Sequence, residues 1–224
     1  MDKAADVVVI GAGIAGTATA YYLAKGGAKV IVCEKGEIAG EQSSRNWGFV
    51  RQQGRDPAEI PLMMEANKIW RGLERELNAD LEWISAGNMV TFDTDEEAAG
   101  WEQWRQTAQD FGLPAQLLSR AELDAITPGN AFDCKGAIFT ETDGQAEPTK
   151  VTAALARAAE GRGAEFLTHC AVFEIETTGG AVSGVDTEHG TIRAPVVVCA
   201  GGAWSGRMLR TLGLKLPQMW IKGS

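Results

Sequence analysis

The chain has 224 residues, of which 45% are hydrophobic and 23% are charged, and its formal net charge is −9. This length suffices for one large domain or two small ones, and the composition predicts a globular protein with a sizeable core. The negative charge argues against nucleic-acid binding by general electrostatics, although it leaves room for a local basic pocket for an anionic substrate.

Cysteine and histidine usage argues against a metal site. The four cysteines form no CxxC pair, and neither of the two histidines stands beside a second ligand type at metal spacing. We expect reduced, buried thiols; disulfides and metal ligation are the less favoured alternatives.

No apolar run reaches the roughly 18 residues of a membrane-spanning helix. Residues 1–3 lead directly into a strand, which leaves no room for a signal peptide, so we expect a cytoplasmic protein; peripheral attachment to a membrane stays open.

The first predicted elements form a strand–helix–strand unit. The run DVVVI at 6–10 is continuous and β-branched, as in a parallel strand that is buried on both faces. Small residues and helix formers at 15–25 predict a helix that stops at Gly26-Gly27, and KVIVCE at 29–34 predicts the second strand. This order predicts a βαβ unit.

The middle of the chain is predicted to contain a loop followed by mixed elements. The expected elements are a loop at 36–56 with one helical turn, a helix at 57–78, two short strands within 81–92, a helix at 94–110, a short helix at 117–128 and a strand at 134–142. Ser119 and Glu122 have the spacing of a capping box at the start of the short helix.

The last part returns to alternating helices and strands. A helix at 148–162 opens with Pro148, a residue favoured in the first turn. Strands are expected at 164–178 with a break, at 181–187 and at 191–199, and a final helix at 203–212. The turn at 177–182 predicts a hairpin.

Gly11, Gly13 and Gly16 form G-x-G-x-x-G between the first strand and the first helix. In such a turn the first glycine permits the tight bend, the second lets a pyrophosphate approach the backbone, and the third lets helix and strand pack closely. The helix N-terminus then offers free N–H groups to the phosphates. Glu34 ends the second strand, where a carboxylate can accept hydrogen bonds from ribose hydroxyls and would repel a 2′-phosphate. The alternative is an ordinary βαβ turn that binds no dinucleotide, with Glu34 as a surface residue.

The loop after Glu34 favours FAD over NAD. An NAD domain usually continues to a third parallel strand at this point, whereas this chain inserts a loop and a long helix. The hydroxyls of Ser43 and Ser44, the amide of Asn46 and the backbone of Gly48 are suited to line a diphosphate or the edge of an isoalloxazine.

Four segments together resemble the FAD-dependent D-amino-acid oxidase-like amine oxidoreductases, which include glycine oxidase, sarcosine oxidase and D-amino-acid dehydrogenases. These are VVVIGAGIAGTATAYYLAKGGAKVIVCEKG, SSRNWG, GQAEPTKVTAALARAAEGRGAEF and VVVCAGGAWS. The resemblance covers essentially the whole chain. It implies an α/β, Rossmann-like FAD-binding domain of the glutathione-reductase type, with a discontinuous α+β substrate domain.

The resemblance also implies which residues bind the cofactor. Ala200, Gly201 and Trp204 would border the flavin, where Gly201 and Gly202 leave space for a planar ring, unless the turn there serves only to start a helix. The backbone of Val172 would contact the adenine. The full predicted set is Gly11, Gly13, Ile14, Ala15, Gly16, Glu34, Lys35, Ser43, Ser44, Arg45, Asn46, Trp47, Gly48, Val172, Ala200, Gly201 and Trp204.

The implied chemistry is amine oxidation by hydride transfer to flavin N5, which gives an imine that water hydrolyses. Arg51 is the predicted catalytic residue, because it could hold a substrate carboxylate or stabilise the reduced flavin anion. For Arg51 and Arg45, the structural alternative is a salt bridge with Glu41 or Asp56. Trp47 and Phe49 either shape the pocket or belong to the core.

The resemblance is to the N-terminal half of much longer proteins. It predicts that the flavin domain comprises 1–80 and 145–216, and that the substrate domain begins with 81–144 and resumes from a crossing at 217–224. We expect a small amine or amino-acid substrate and a second chain that carries the C-terminal half. The alternatives are a non-catalytic FAD-binding subunit that needs a partner and, less favoured, an NAD-dependent dehydrogenase.

Overall fold

The computed structural model describes residues 3–219 and 221, which form two compact units. The first unit contains the residues up to Asn46 and those from Pro148 onward, and the second is Trp47–Glu147. These divisions differ from the predicted segments, which change at 80/81 and 144/145. The reason is that the helix beginning at Ile60 packs on Ala108 and Leu113 of the second unit.

The helices and strands of the described residues have the following bounds. The strands are β1 (Lys3–Ala4), β2 (Val7–Ile10), β3 (Val30–Cys33), β4 (Phe49–Val50), β5 (Asn88–Phe92), β6 (Ala115–Ser119), β7 (Gly136–Thr140), β8 (Gly144–Gln145), β9 (Glu165–Leu167), β10 (Val172–Thr178), β11 (Ala181–Thr187), β12 (Gly190–Arg193) and β13 (Val196–Cys199). The α-helices are α1 (Ile14–Lys25), α2 (Ile60–Leu77), α3 (Asp95–Asp110), α4 (Arg120–Ile126), α5 (Pro148–Glu160) and α6 (Ser205–Arg210), and 3₁₀ turns lie at Gln42–Ser44 and Gly202–Trp204.

A parallel sheet in the order β13-β2-β3-β9 forms the centre of the first unit. All residues of β2 and β3 are buried, as their unbroken β-branched sequences predict. Helix α1 joins these two strands and packs against α5. The predicted βαβ unit and the α/β, Rossmann-like fold class are therefore confirmed.

A second sheet of the first unit has the order β1-β12-β11-β10. Ile175, Val185 and Ile192 from this sheet share one buried core with Val8 and Ile31 of the parallel sheet. The expected hairpin joins β10 to β11.

The prediction of one strand at 191–199 was wrong. The segment divides into β12 and β13, which belong to different sheets. Pro195 lies between them and has no N–H to donate to a ladder, so the chain can leave one sheet there and enter the other.

The second unit contains an antiparallel sheet in the order β5-β7-β6, the helices α2, α3 and α4, and the short pair β4-β8. The expected capping box joins Ser119 and Glu122, and α3 has another formed by Thr94 and Glu97. Two details of the prediction were wrong. Residues 117–119 belong to β6 rather than to the following helix, and β5 is the only strand found within 81–92, where Ile84 makes just a single bridge to Gln145.

Candidate functional site

The glycine turn after β2 lies against the glycine turn after β13. The two strands run parallel and adjacent, and the Ala200 N–H donates to the carbonyl oxygen of Ile10 at 2.9 Å. Gly11 has φ +102°, and a Cβ at this position would lie 2.6 Å from the carbonyl oxygen of Ala200. Glycine is required at residue 11 both by its backbone conformation and by this contact.

The other two glycines of the motif allow close packing at the start of α1. A Cβ at Gly16 would lie 1.9 Å from the Gly11 carbonyl oxygen, and one at Gly13 would lie 2.9 Å from the Ser43 hydroxyl oxygen. The Ser43 Oγ accepts a hydrogen bond from the Ile14 N–H at 2.8 Å. A hydroxyl from the following loop therefore caps the helix, because Gly13 has no side chain to do so.

Glu34 binds the glycine turn directly. Its Oε2 accepts the Ala12 N–H and its Oε1 accepts the Gly36 N–H, each at 2.8 Å, and the side chain is buried. An ionised carboxylate offers about four acceptor positions, so two backbone bonds leave capacity for hydroxyl donors. The acid predicted from the motif thus lies beside the turn.

The segment that precedes β10 pairs with the residues around Glu34. The Cys170 N–H donates to the Glu34 carbonyl at 2.8 Å, and the His169 N–H donates to the Gly36 carbonyl at 3.1 Å. Val172 follows two residues later as the first residue of β10. Its role in adenine binding stays a prediction.

Lys35 contacts two of the neighbouring segments. Its Nζ lies 2.7 Å from Glu41 Oε1 and 4.0 Å from the centre of the Trp204 ring. The ammonium lowers the pKa of Glu41. Lys35 therefore connects the end of β3 with the loop before Ser43 and with the turn after Gly201.

Polar side chains of the 41–46 loop stabilise the loop itself. The Ser44 hydroxyl donates to the Glu41 carbonyl at 3.0 Å, and the Asn46 amide donates to the Gln42 carbonyl at 3.2 Å. Arg45 donates to the Gly40 carbonyl and forms an ion pair with Glu41 at 3.2 Å. A salt bridge with Glu41 was the alternative to a functional role that the sequence left open for Arg45.

Three predicted site residues, Trp47, Gly48 and Arg51, lie in the second unit. Trp47 is 82% exposed and meets Phe49, itself half exposed, edge to face at 6.3 Å. The alternative that these two aromatic residues belong to the core was therefore wrong. Gly48 has φ +73°, and its carbonyl accepts the Ala146 N–H.

Arg51 is held by its own turn. Its Nη1 donates to the carbonyl oxygen of Gln53 at 2.6 Å. The Gln53 N–H in turn donates to Asp143, a buried acid that the sequence reasoning missed. The only local signal for Asp143 was an aspartate immediately before a glycine, which usually marks a turn.

The cysteines are free in the structure. Cys33 and Cys170 are buried as expected, whereas Cys134 and Cys199 are partly exposed. Burial and the neighbouring Cys170 raise the pKa of the Cys33 thiol to about 12, which makes it unreactive at neutral pH.

Across residues 3–219 and 221, no cluster of three His, Cys, Asp or Glu side chains is placed to hold a metal ion. Over the same residues, no helix has the length and apolar character of a membrane span.

The residues of the first unit fit a dinucleotide. Ile14 and Ala15 are exposed at the start of α1, where helix N–H groups favour an anion. Gly13 carries no Cβ, and Glu34 binds the turn at the Ala12 N–H. The donors of the helix start and the acceptor of Glu34 match the phosphates and the ribose hydroxyls, respectively.

Residues 6–224 match the family of FAD dependent oxidoreductases known as DAO. The chain belongs to this family, which confirms the predicted resemblance and the family's cofactor, FAD. Among curated relatives, mitochondrial sarcosine dehydrogenase of Mus musculus is 30% identical over 97% of this chain and 24% of its own length. Sarcosine oxidase subunit beta of Rhizobium meliloti is 30% identical over 95% of this chain and 53% of its own length.

The solved structures agree with the sequence relatives. The structure of L-amino acid deaminase from Proteus myxofaciens, in complex with anthranilate, superimposes with a TM-score of 0.90 at 35% identity. The superposition covers 97% of this chain and 50% of that protein. The present chain thus spans between about a quarter and about half the length of these three proteins.

Proposed function

We propose that the chain is the FAD-binding part of an enzyme that oxidises an amino acid or a secondary amine to an imine. The observation that carries this proposal is the glycine turn with Glu34, Ser43 and the adjoining turn at Ala200, in a member of an FAD-dependent family. Relatives named for sarcosine oxidation and for L-amino acid deamination support an amine as the substrate class. The cytoplasmic location stays a prediction.

The geometry of the first unit supports several of the proposed cofactor contacts. The start of α1 and the Ser43 hydroxyl, which can accept and donate, would bind the diphosphate. Glu34 would accept the ribose hydroxyls. Lys35, Ser44, Arg45 and Asn46 would hold the surrounding loop and the cofactor edge. We propose Val172 for the adenine, and Ala200, Gly201 and Trp204 for the flavin. For Trp47 and Gly48 of the second unit, a role in flavin binding stays a prediction.

The chemistry that FAD would supply when bound is an acceptor for the hydride that leaves the substrate carbon bearing the amine. Loss of this hydride, which carries two electrons, would leave an iminium. Release of its N–H proton to water gives the imine, which water then hydrolyses. An amine that arrives neutral needs no protein base. The residues of this chain therefore act mainly by orientation and charge, and Arg51 is proposed to hold the substrate carboxylate or to stabilise the negative charge that develops on the reduced cofactor.

We further propose that the first unit is the flavin domain and the second unit the beginning of the substrate domain. A companion polypeptide would supply the remainder. The support is that one relative is, by its name, a subunit, and that this chain covers about half of it. The predicted crossing at 217–224 is described only for 217–219 and 221. There the Gln218 amide donates to the Gly202 carbonyl at 3.0 Å, a hydrogen bond within the first unit.

The test is native mass spectrometry with a visible spectrum of the isolated protein, followed by anaerobic addition of amino acids and secondary amines. We expect a yellow complex that holds FAD and a second chain, and bleaching of the flavin by an amine. A monodisperse 24 kDa monomer loaded with FAD would contradict the companion chain. A yellow complex that no amine bleaches would favour the non-catalytic FAD-binding subunit instead.

A further inference from the structure

Asp143 is a fully buried acid in the second unit that the proposed chemistry does not use. Its carboxylate accepts hydrogen bonds from two consecutive residues about 90 positions earlier in the chain. The Gln52 N–H and the Gln52 side-chain amide donate to Oδ1 at 2.8 and 2.9 Å, and the Gln53 N–H donates to Oδ2 at 3.1 Å. Both carboxylate oxygens are therefore used to fix one short segment.

This segment in turn holds Arg51. The N–H of Gln53 is bound by Asp143, and the carbonyl oxygen of Gln53 accepts Arg51 Nη1 at 2.6 Å. The Gln53 side chain has a separate anchor, because its Oε1 accepts the Thr140 hydroxyl at 2.9 Å. Gln53 is thus a fixed link between the buried carboxylate and the guanidinium.

The burial of Asp143 requires an explanation, because a charged side chain is costly in the interior of a protein. Burial raises the pKa of Asp143, which means that its charge is costly here, and the N–H donors of Gln52 and Gln53 together with the charge of Arg51 oppose that rise. Three N–H donors divided over two oxygens require a side chain that only accepts, and a carboxylate meets this requirement.

We propose that Asp143 is a positioning residue that sets the place of the Arg51 guanidinium through Gln53. The consequence for catalysis rests on the function proposed above, whereas the effect on the position of Arg51 does not. A purely structural role for Asp143 would stabilise the second unit without any specific effect on Arg51.

The variant D143N separates the two roles. The oxygen of the asparagine can still accept the Gln52 donors, but its NH₂ group then faces the Gln53 N–H. The hydrogen bond to Gln53, which connects Asp143 with Arg51, is therefore replaced by an unfavourable contact between two donors. The matched control is T140V, which removes a buried hydrogen bond to the same Gln53 but leaves its backbone bonds intact.

The first readout is the rate at which phenylglyoxal modifies Arg51, followed by mass spectrometry with the exposed Arg71 as internal reference. We expect a several-fold faster modification of Arg51 in D143N and the wild-type rate in T140V. Equal rates in D143N and the wild type, or an equal increase in both variants, overturn the proposal.

The second readout is flavin reduction by an amine in the holoprotein, measured by stopped flow for the wild type, D143N, R51Q and D143N/R51Q. We expect roughly tenfold slower reduction in D143N and no further slowing when D143N is added to R51Q, because residues that act through one another are not additive. Independent, multiplying effects overturn the proposal. If no amine reduces the wild type, the proposed function fails, and the phenylglyoxal rates still decide whether Asp143 positions Arg51.

The wild type provides a measurement that does not depend on folding of a variant. Gln52 and Gln53 lie outside any helix or strand. Because both N–H groups bind a buried carboxylate, their residue-resolved hydrogen exchange should be as slow as that of β7. Rapid exchange of both amides overturns the proposal.

Discussion

At the scale of single residues, the close contacts of the glycine turn predict a sharp difference between two glycine substitutions. In Gly16→Ala the new Cβ would lie 1.9 Å from the Gly11 carbonyl oxygen, so α1 must move away from the turn. We expect the free energy of unfolding to fall by about 2–3 kcal/mol and FAD binding to be lost. Urea unfolding and flavin fluorescence measure the two effects.

The control for this substitution is Gly100→Ala in α3, where a Cβ would have no neighbour within 4 Å. That change should raise the free energy of unfolding by roughly 0.5–1 kcal/mol, since alanine is the better helix former. Equal effects of the two substitutions would contradict the packing argument for Gly16.

The second prediction at this scale concerns Glu34. Glu34→Gln keeps one acceptor but places an NH₂ group against the Ala12 or the Gly36 N–H. It would also remove the negative charge from the proposed hydrogen bonds to ribose. We expect the FAD dissociation constant to rise about 10- to 100-fold, as measured by titration of the apoprotein. Glu37→Gln is the control, because Glu37 is an exposed acid that binds His169. An unchanged affinity in E34Q would exclude Glu34 from the site.

At the scale of elements, the capping box of α4 predicts both a stability change and a pH effect. The Ser119 hydroxyl and N–H bind the Glu122 carboxylate and lower its pKa. This contribution is therefore present above the ordinary pKa of glutamate and is lost as the pH falls through the lowered value. In Ser119→Ala we expect about 1 kcal/mol less stability at pH 7 and a smaller difference from the wild type at pH 2–3.

Urea unfolding of the second unit at the two pH values tests this prediction. Thr107→Ala is the comparison, because its hydroxyl lies within α3 and donates only to the Gln103 carbonyl one turn earlier. That change should stay within about 0.5 kcal/mol. A Ser119→Ala difference that does not shrink on acidification would show that Glu122 takes no part.

At the scale of the whole molecule, β13 is the edge of the parallel sheet, with β2 as its only strand neighbour among the described residues. Val196 on this edge is 48% exposed. Unpaired edges of this kind accept a further strand, and a lysine on the edge opposes such pairing. We expect Val196→Lys to change the stability of this chain by less than about 0.5 kcal/mol but to weaken assembly with the proposed companion chain.

Native mass spectrometry of the complex measures that assembly. Thr177→Lys provides the matched control, since Thr177 is an exposed residue of β10 at the edge of the other sheet. Assembly of V196K to the wild-type extent would place the contact of the companion chain elsewhere.

The sequence by itself determined the local units of the protein. The spacing of Gly11, Gly13 and Gly16 before Glu34 predicted the βαβ unit, because a tight turn and a helix start depend on residues only a few positions apart. The capping box of Ser119 was predictable for the same reason. The resemblance, rather than the segment itself, implied that the turn at Ala200 and Gly201 borders the flavin.

Only the tertiary structure decided which distant residues meet. The carboxylate of Asp143 binds Gln52 and Gln53, and Lys35 lies on the ring of Trp204, although no local pattern marks either pair. Likewise, 191–199 looked like one strand until its two halves were found in different sheets. Such contacts depend on how sheets and loops pack after the local elements have formed, and a buried polar group reveals its purpose only through the partner that satisfies it.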